Sequence, residues 1–443
     1  MSDARLALAP FRHLRPAVAA AACYLLAALA WVAFGSALPG GRWLAVHLFT
    51  VGVLTNLVVA LTHHFAQTLL HAGTLDARLG RFALLNSGAV ALLIGRVAGW
   101  TWLVALGGTA LIAAVTWLYL DLRRQRTAAL AGRFTFVVRA YERACSAFFH
   151  GALLGILMGV GVLAGDWYGA ARLAHLHVNI LGWGGLTLLS TVVFFGPTMM
   201  RTRLEPGADT SAPGALRSGA TGLSIGAVAL LLTGWTGGPE AVFRWLAVGG
   251  LAVYATAAVR VCVPVLRAGA RAVPAAHTWL IQGACAWFIF AVWADVIAIA
   301  LDRLWLLDAL GVALLAGVLG QAILAALNYL SPLVLVAGAK ARAAARDVLD
   351  GAGRSRAVGL NLGVACLVAA IPGGRVADRL GDTLLTVGWV LLAAAVVVQL
   401  LLMAWVRLRH PQMAPDRGRC PNRRPNRRQE DDRQDEVTPR SDR

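Results

Sequence analysis

Three histidines stand out in a chain whose apolar runs hold few polar residues. His175 and His177 form an HxH pair in HLHVNILGWGGLTLLSTVVFFGPTMM, and His47 opens HLFTVGVLTNLVVALTHHFAQTLL. Neutral imidazole is the usual side-chain ligand of haem iron and copper, so these residues point to metal chemistry. The two stretches also align. His47 falls on His177, Gly52 on Gly182, Phe65 on Phe195 and Thr68 on Thr198. A third stretch, VALLAGVLGQAILAALNYLSPLV, places Gly317 and Pro332 where the second has Gly182 and Pro197, but Val312 takes the histidine position. Two residues apart on a helix is a rotation of about 200°, so His175 and His177 face nearly opposite ways. His47 and His177, at equivalent depth, are candidate axial ligands of one planar cofactor. His175 is then a candidate ligand of a second haem or of copper. The plainer reading of His47 alone is an interfacial histidine bonded to headgroups or water.

The remaining histidines read differently. His63, His64 and His71 lie at the far end of the His47 helix, about 24 Å away, and suit an interface. His150 and His277 suit hydrogen-bonded packing or surface roles, and His13 and His410 flank spans. Asp295, in AWFIFAVWADVIAIALD, is an acid inside an apolar run. It is a candidate proton or polar site, or the partner of an arginine such as Arg303 or Arg96. Gln321, Asn328, Asn56, Asn86 and Asn179 suit hydrogen bonds between helices. No Walker loop, dinucleotide fingerprint or nucleophile with a nearby base is evident.

The elements that must position these side chains are membrane helices. Hydrophobic residues make up 58% of the chain and charged ones 14%, which predicts an all-α, polytopic bundle. About twelve apolar runs lie near 16–38, 43–71, 82–98, 99–119, 144–164, 172–200, 217–236, 240–264, 275–301, 305–337, 356–373 and 382–406. The split between the third and fourth is a tight turn near Arg96 and Gly99. The net charge of +18 does not imply nucleic acid, because Lys and Arg gather in loops on one side, most densely at Arg123, Arg124, Arg126, Arg133 and Arg139. By the positive-inside rule this predicts a multi-pass protein of the cell (inner) membrane with both termini cytoplasmic. The long first span lacks a cleavage site and is read as retained. The scattered cysteines read as packing residues.

The repeat divides residues 16–410 into three groups of four spans, about 16–142, 143–271 and 272–410. The special helix is the second of each group. Residues 1–15 form a cytoplasmic N-terminal segment, and 411–443 read as a disordered charged tail. Residues 201–217 read as a linker, and 340–355 as a short surface helix.

Twelve spans in three arcs, with ligand histidines near the outer ends of special helices, resemble haem–copper oxidase subunit I. The string HLHVNILGWGG with a later Gly-Pro resembles the HxHxxxxGW helix of the cbb3-type oxidase and nitric oxide reductase branch, and NnrS-like membrane proteins. HHFAQTLL, HLHVNILGWGGLTLL and GQAILAALNYLSPLV also resemble the membrane domain ahead of cupredoxin modules in some copper nitrite reductases and multicopper oxidases. The resemblance implies haem b, copper or both, bound by His47, His177 and His175. It implies a role in respiratory electron transfer or in nitrogen-oxide or copper metabolism, with a periplasmic cupredoxin or cytochrome as partner. The chain departs from the oxidases in carrying HxH on the sixth span, no histidine on the tenth, and none in GLSIGAVALLLTGW of the seventh. A complete dinuclear centre is therefore not expected. A cofactor-free permease and a membrane anchor for a periplasmic copper enzyme are the alternatives.

Overall fold

The computed structural model describes residues 13–35, 37–71, 78–129, 132, 134–336 and 338–409, and every regular element among them is helical. In chain order these are α1 (Arg15–Phe34), α2 (Gly41–Leu70), α3 (Arg78–Ala98), α4 (Thr101–Ala128), α5 (Thr135–Gly159), α6 (Asp166–Met200), α7 (Ala208–Leu232), α8 (Glu240–Ala270), α9 (Ala276–Ala300), α10 (Leu304–Leu335), α11 (Ala339–Asp350), α12 (Gly353–Val376) and α13 (Asp378–Arg409). Among the described residues, 11 helices are long and apolar enough to cross a membrane. The other long helix, α5, is apolar only in its second half, because Arg139, Glu142 and Arg143 occupy its first. The protein is thus an all-α polytopic membrane bundle.

The three special helices are α2, α6 and α10, and each departs from α-helical geometry at the same place. Widened, π-helical turns run over Leu48–Leu54, Val178–Gly185 and Ala313–Gly320. The residue just before each is His47, His177 or Val312, the three positions that the repeat makes equivalent. Such turns, with their i to i+5 bonds, are uncommon over this length and often mark functional regions.

Repeat-equivalent glycines explain the packing. Gly52 lies against the ring of Tyr24 on α1, Gly182 against Ala147 on α5, and Gly317 against the Trp287 ring on α9. Each special helix therefore rests on the helix that begins its group, with no Cβ in the way. The three special helices then meet one another. A Cβ at Gly184 would lie 3.0 Å from Leu319 Cδ1 and 3.5 Å from Leu54 Cδ2. Leu54, Gly184 and Leu319 are themselves repeat-equivalent, so this contact marks a common axis of the three groups. Without a hydrophobic drive between helices in lipid, such close approach and interhelical polar bonds supply the adhesion.

The later helices of each group form hairpins, α3–α4, α7–α8 and α12–α13, around glycines such as Gly107, Gly250 and Gly363. The α3–α4 turn has Gly99 at φ +74° and closes with Trp100 N–H donating to Gly95 O at 2.8 Å. Asn56 of α2 and Asn86 of α3 exchange hydrogen bonds of 3.1 and 2.9 Å. In the third group Gln321 of α10 donates to Asn361 of α12 at 3.0 Å. At the arginine-rich end, Arg81 pairs with Asp121 at 2.7 Å, both buried, and Arg126 pairs with Glu142 at 2.6 Å.

Several boundaries differ from expectation: α4 runs on to Ala128 and α5 begins at Thr135, where the apolar runs were expected to end near 119 and begin near 144. The linker expected over 201–217 is shorter, because α7 already begins at Ala208 after Gly207 at φ +85°. Pro213 sits in the second turn, where it forfeits a single intrahelical bond. The surface helix is α11, and its Ala345 and Leu349 are buried with Val406 of α13. The expected N-terminal segment up to residue 12, His410 and the charged tail lie outside the described residues.

The axial contact is open to test. Gly184→Leu is expected to lower stability in detergent by about 1–3 kcal/mol, read as a lower unfolding midpoint. Gly359→Leu, at a glycine with open space around it, should leave the midpoint near that of the parent. Equal effects would remove Gly184 from the axis.

Candidate functional site

Three of the candidate side chains, His47, His175 and His177, gather at the end of the bundle opposite the arginine-rich one. His47 and His175 face each other across α2 and α6. Their ring centres are 6.5 Å apart and their planes differ by 22°. Each ring is oriented by a backbone carbonyl. His47 donates Nδ1–H to Trp43 O at 2.8 Å, one turn earlier on its own helix. His175 donates Nδ1–H to Gly151 O of α5 at 2.7 Å. Those bonds fix one tautomer in both residues and leave each Nε2 with a free lone pair. A carbonyl on the distal ring nitrogen is the support that metal-ligating histidines use.

The surroundings hold both rings in place. The Trp43 ring stacks on His47 at 3.9 Å between centres, with planes 20° apart. The Arg96 guanidinium of α3 lies 5.6 Å from the centre of that indole, within cation–π range. His175 passes over Gly155 of α5, where a Cβ would come within 2.9 Å of its Cε1. Gly151, one turn away, makes room for the Asn179 side chain, which donates to His175 O at 2.9 Å. The sequence HGALLG of α5 is therefore the seat of the His175 ring. Arg42 and Asp308, paired at 3.1 Å, join the starts of α2 and α10 at this end.

His177 turns the other way, as its spacing from His175 requires. Its Nδ1–H donates to Leu173 O at 2.8 Å, and its Nε2 lies 3.0 Å from Asp295 Oδ2 on α9. Both side chains are buried. With a carbonyl on one nitrogen and a carboxyl on the other, the imidazole has no free lone pair. One proton lies between Nε2 and Asp295, and the pair ties α6 to α9. The sequence grouped His47 with His177, whereas the structure brings His47 beside His175 and sets His177 beside Asp295. The reason is rotational. Equivalent residues on helices arranged about one axis each point toward the next group around the ring, not toward each other. His47 thus reaches the second group and His177 reaches the third. Asp295 likewise has His177 as partner, in place of the expected Arg303 or Arg96.

The other histidines stay apart from this site. The His64 ring lies 5.1 Å from that of His13, and His63 is buried nearby on α2. His71 ends α2 at φ 50°. His150, exposed, donates to Ser146 O at 2.7 Å. His277 donates Nε2–H to Met199 O at 2.9 Å, with its Nδ1 3.9 Å from Asp350. Asp350 also accepts from Ala276 N–H at 3.0 Å and from Asn328 at 3.3 Å. Among the described residues, no three His, Cys, Asp or Glu side chains are grouped to hold one ion. Two supports were not expected from the sequence, Trp43 and the α5 glycines. The i, i+4 spacing of Trp43 to His47 and the small-residue pattern of α5 were the available signals.

The buried pair makes a clear energetic claim. Asp295→Ala leaves His177 unpaired in a dry site and is expected to cost about 3–5 kcal/mol. Replacing both by leucine removes the charge and the donor together, and should recover most of that loss in the unfolding midpoint. A double variant no more stable than Asp295→Ala would separate the two residues energetically.

A scan against protein-family models finds none that matches this chain, and no curated protein matches it, so the arrangement of its own residues carries the functional reading.

Proposed function

We propose that this integral membrane bundle binds a redox-active haem, of b type, between His47 and His175. The single observation that carries the reading is the pair of free Nε2 atoms on two rings 6.5 Å apart, each with its Nδ1–H committed to a carbonyl. Two metal–nitrogen bonds of about 2 Å, together with the distance from each ring centre to its nitrogen, amount to roughly 6 Å. The donor set fits as well. His47 and His175 would hold the haem iron through their Nε2 atoms. A bound haem supplies a one-electron couple. The residues of the chain orient it. Trp43 covers one face of His47, Arg96 adds positive charge beyond the indole, and Gly155 gives the His175 ring its space.

A cuprous ion is the second reading, because two imidazoles also suffice for linear coordination of that soft ion. Its supporting observation is the same pair without a third donor. In either case the role is electron transfer or metal handling at the membrane, in the respiratory or nitrogen-oxide and copper setting that the oxidase resemblance implies. The arginine-rich end is read as cytoplasmic. On this reading both termini are inside and the imidazole pair is near the outer face, where a periplasmic cupredoxin or cytochrome could reach it. His177 and Asp295 serve as a structural tie in this reading, not as ligands.

The test is the iron and copper content and the optical spectrum of protein purified from a haem-replete host. A Soret band is expected, lost or shifted by His47→Ala and by His175→Ala, and kept by His150→Ala. Bound copper without iron would favour the second reading. Protein free of both, or a Soret band indifferent to His47 and His175, would overturn the proposal.

A further inference from the structure

The bundle presents an open groove on its outer surface, away from the imidazole site. It runs between α7 and α8, has a volume of about 770 Å³, and is lined by Arg217, Ser218, Gly222, Ile225, Trp245 and Gly249 among others. Its floor is backbone. Gly222 and Gly250 pack so closely that a Cβ on either would strike the other helix. Gly214 and Gly249 face open space. Its upper walls are apolar and exposed, including Ile225, Trp245 and Leu246. From Gly214 to Ile225 the α7 helix advances about 16 Å, close to the roughly 15 Å depth of one leaflet.

The ends of the groove differ in charge. At the arginine-rich end Arg217 lines it, and Arg143 of α5 lies within electrostatic reach of both Arg217 and Arg139. The carboxylate that acts on Arg143, Glu142, is already bound by Arg126 at 2.6 Å. No ion pair joins any of the three arginines to a carboxylate among the described residues. The other end carries an indole, that of Trp245, and no such cluster. An apolar trough one leaflet deep, headed by unneutralised guanidinium groups, has the form of a lipid with a negative head. A second copy of the chain suits it less well, since a symmetric contact would bring the arginine clusters of both copies together.

We propose that the α7–α8 groove is a binding site for an anionic phospholipid of the arginine-rich leaflet. One acyl chain lies along Gly222, Gly249 and Ile225. The phosphate sits between Arg217 and Arg143, where charge-assisted hydrogen bonds replace the missing carboxylate. Ser218 and Thr221, exposed along the same edge, border the glycerol region.

The experiment is lipid retention by the full-length purified protein in native mass spectrometry. The detergent-solubilised chain is exposed to phosphatidylglycerol or to phosphatidylcholine of identical acyl composition. Phosphatidylglycerol should be retained preferentially, by about fivefold for each arginine engaged. The double variant Arg143→Gln/Arg217→Gln should bring the preference close to unity. Gly249→Phe, which fills the groove from its open side, should reduce retention of both lipids. Equal retention of the two lipids by the parent protein would overturn the proposal without recourse to any variant. So would a preference unchanged by the arginine substitutions. A dimer that Gly249→Phe dissociates would overturn it in favour of a second copy as the occupant.

Discussion

The missing side chain at Gly184 lets three helices meet at one point, and the rest of the architecture follows from that contact. Leu54 and Leu319 close on it from α2 and α10. A larger residue at 184 would push the special helices apart and break the symmetry that relates the groups. The π-helical turns that begin after His47, His177 and Val312 lie beside this axis. They add an extra residue per turn where the helices converge. The turns follow directly on His47 and His177, so the change of helical form falls beside these two histidines.

That geometry also separates two kinds of histidine on one helix. His175 keeps a free Nε2 because its only strong acceptor is the Gly151 carbonyl on Nδ1. His177 spends both nitrogens, one on Leu173 O and one on Asp295. In the apolar interior, the carboxyl of Asp295 needs a partner, and the imidazole that symmetry turns toward α9 provides it. The HxH spacing therefore gives one helix an imidazole with an unengaged Nε2 and an imidazole that ties it to α9.

Much of the fold was legible in the sequence. Apolar runs located the long helices because each must span about 20 residues of lipid, and Gly99 marked the α3–α4 turn by its need for positive φ. The internal repeat singled out α2, α6 and α10, and the equivalent positions His47, His177 and Val312 turn out to precede the π-helical turns, which nothing in the sequence announced. The start of α7 was hidden by the Pro and Gly content of 201–217, since composition does not tell a helix that tolerates Pro213 from a loop. The partner of His47 was hidden for a different reason. A repeat states that His47 and His177 are equivalent, but equivalence about an axis gives a common sense of rotation and not a meeting point. Asp295 was visible as a buried acid, yet its partner lay more than a hundred residues away on another helix and carried no local mark. Trp43 was legible only in retrospect, through its spacing from His47.

The central claim is that two neutral imidazoles, one from α2 and one from α6, hold the same metal centre from opposite sides. Low-temperature electron paramagnetic resonance of the oxidised, haem-containing protein tests it most directly. Two axial imidazoles on ferric haem give a low-spin signal, and removal of His175 alone should convert it to high spin while His47 stays bound. A high-spin signal in the parent protein, or a low-spin signal that survives His175→Ala and disappears with His177→Ala, would contradict the account.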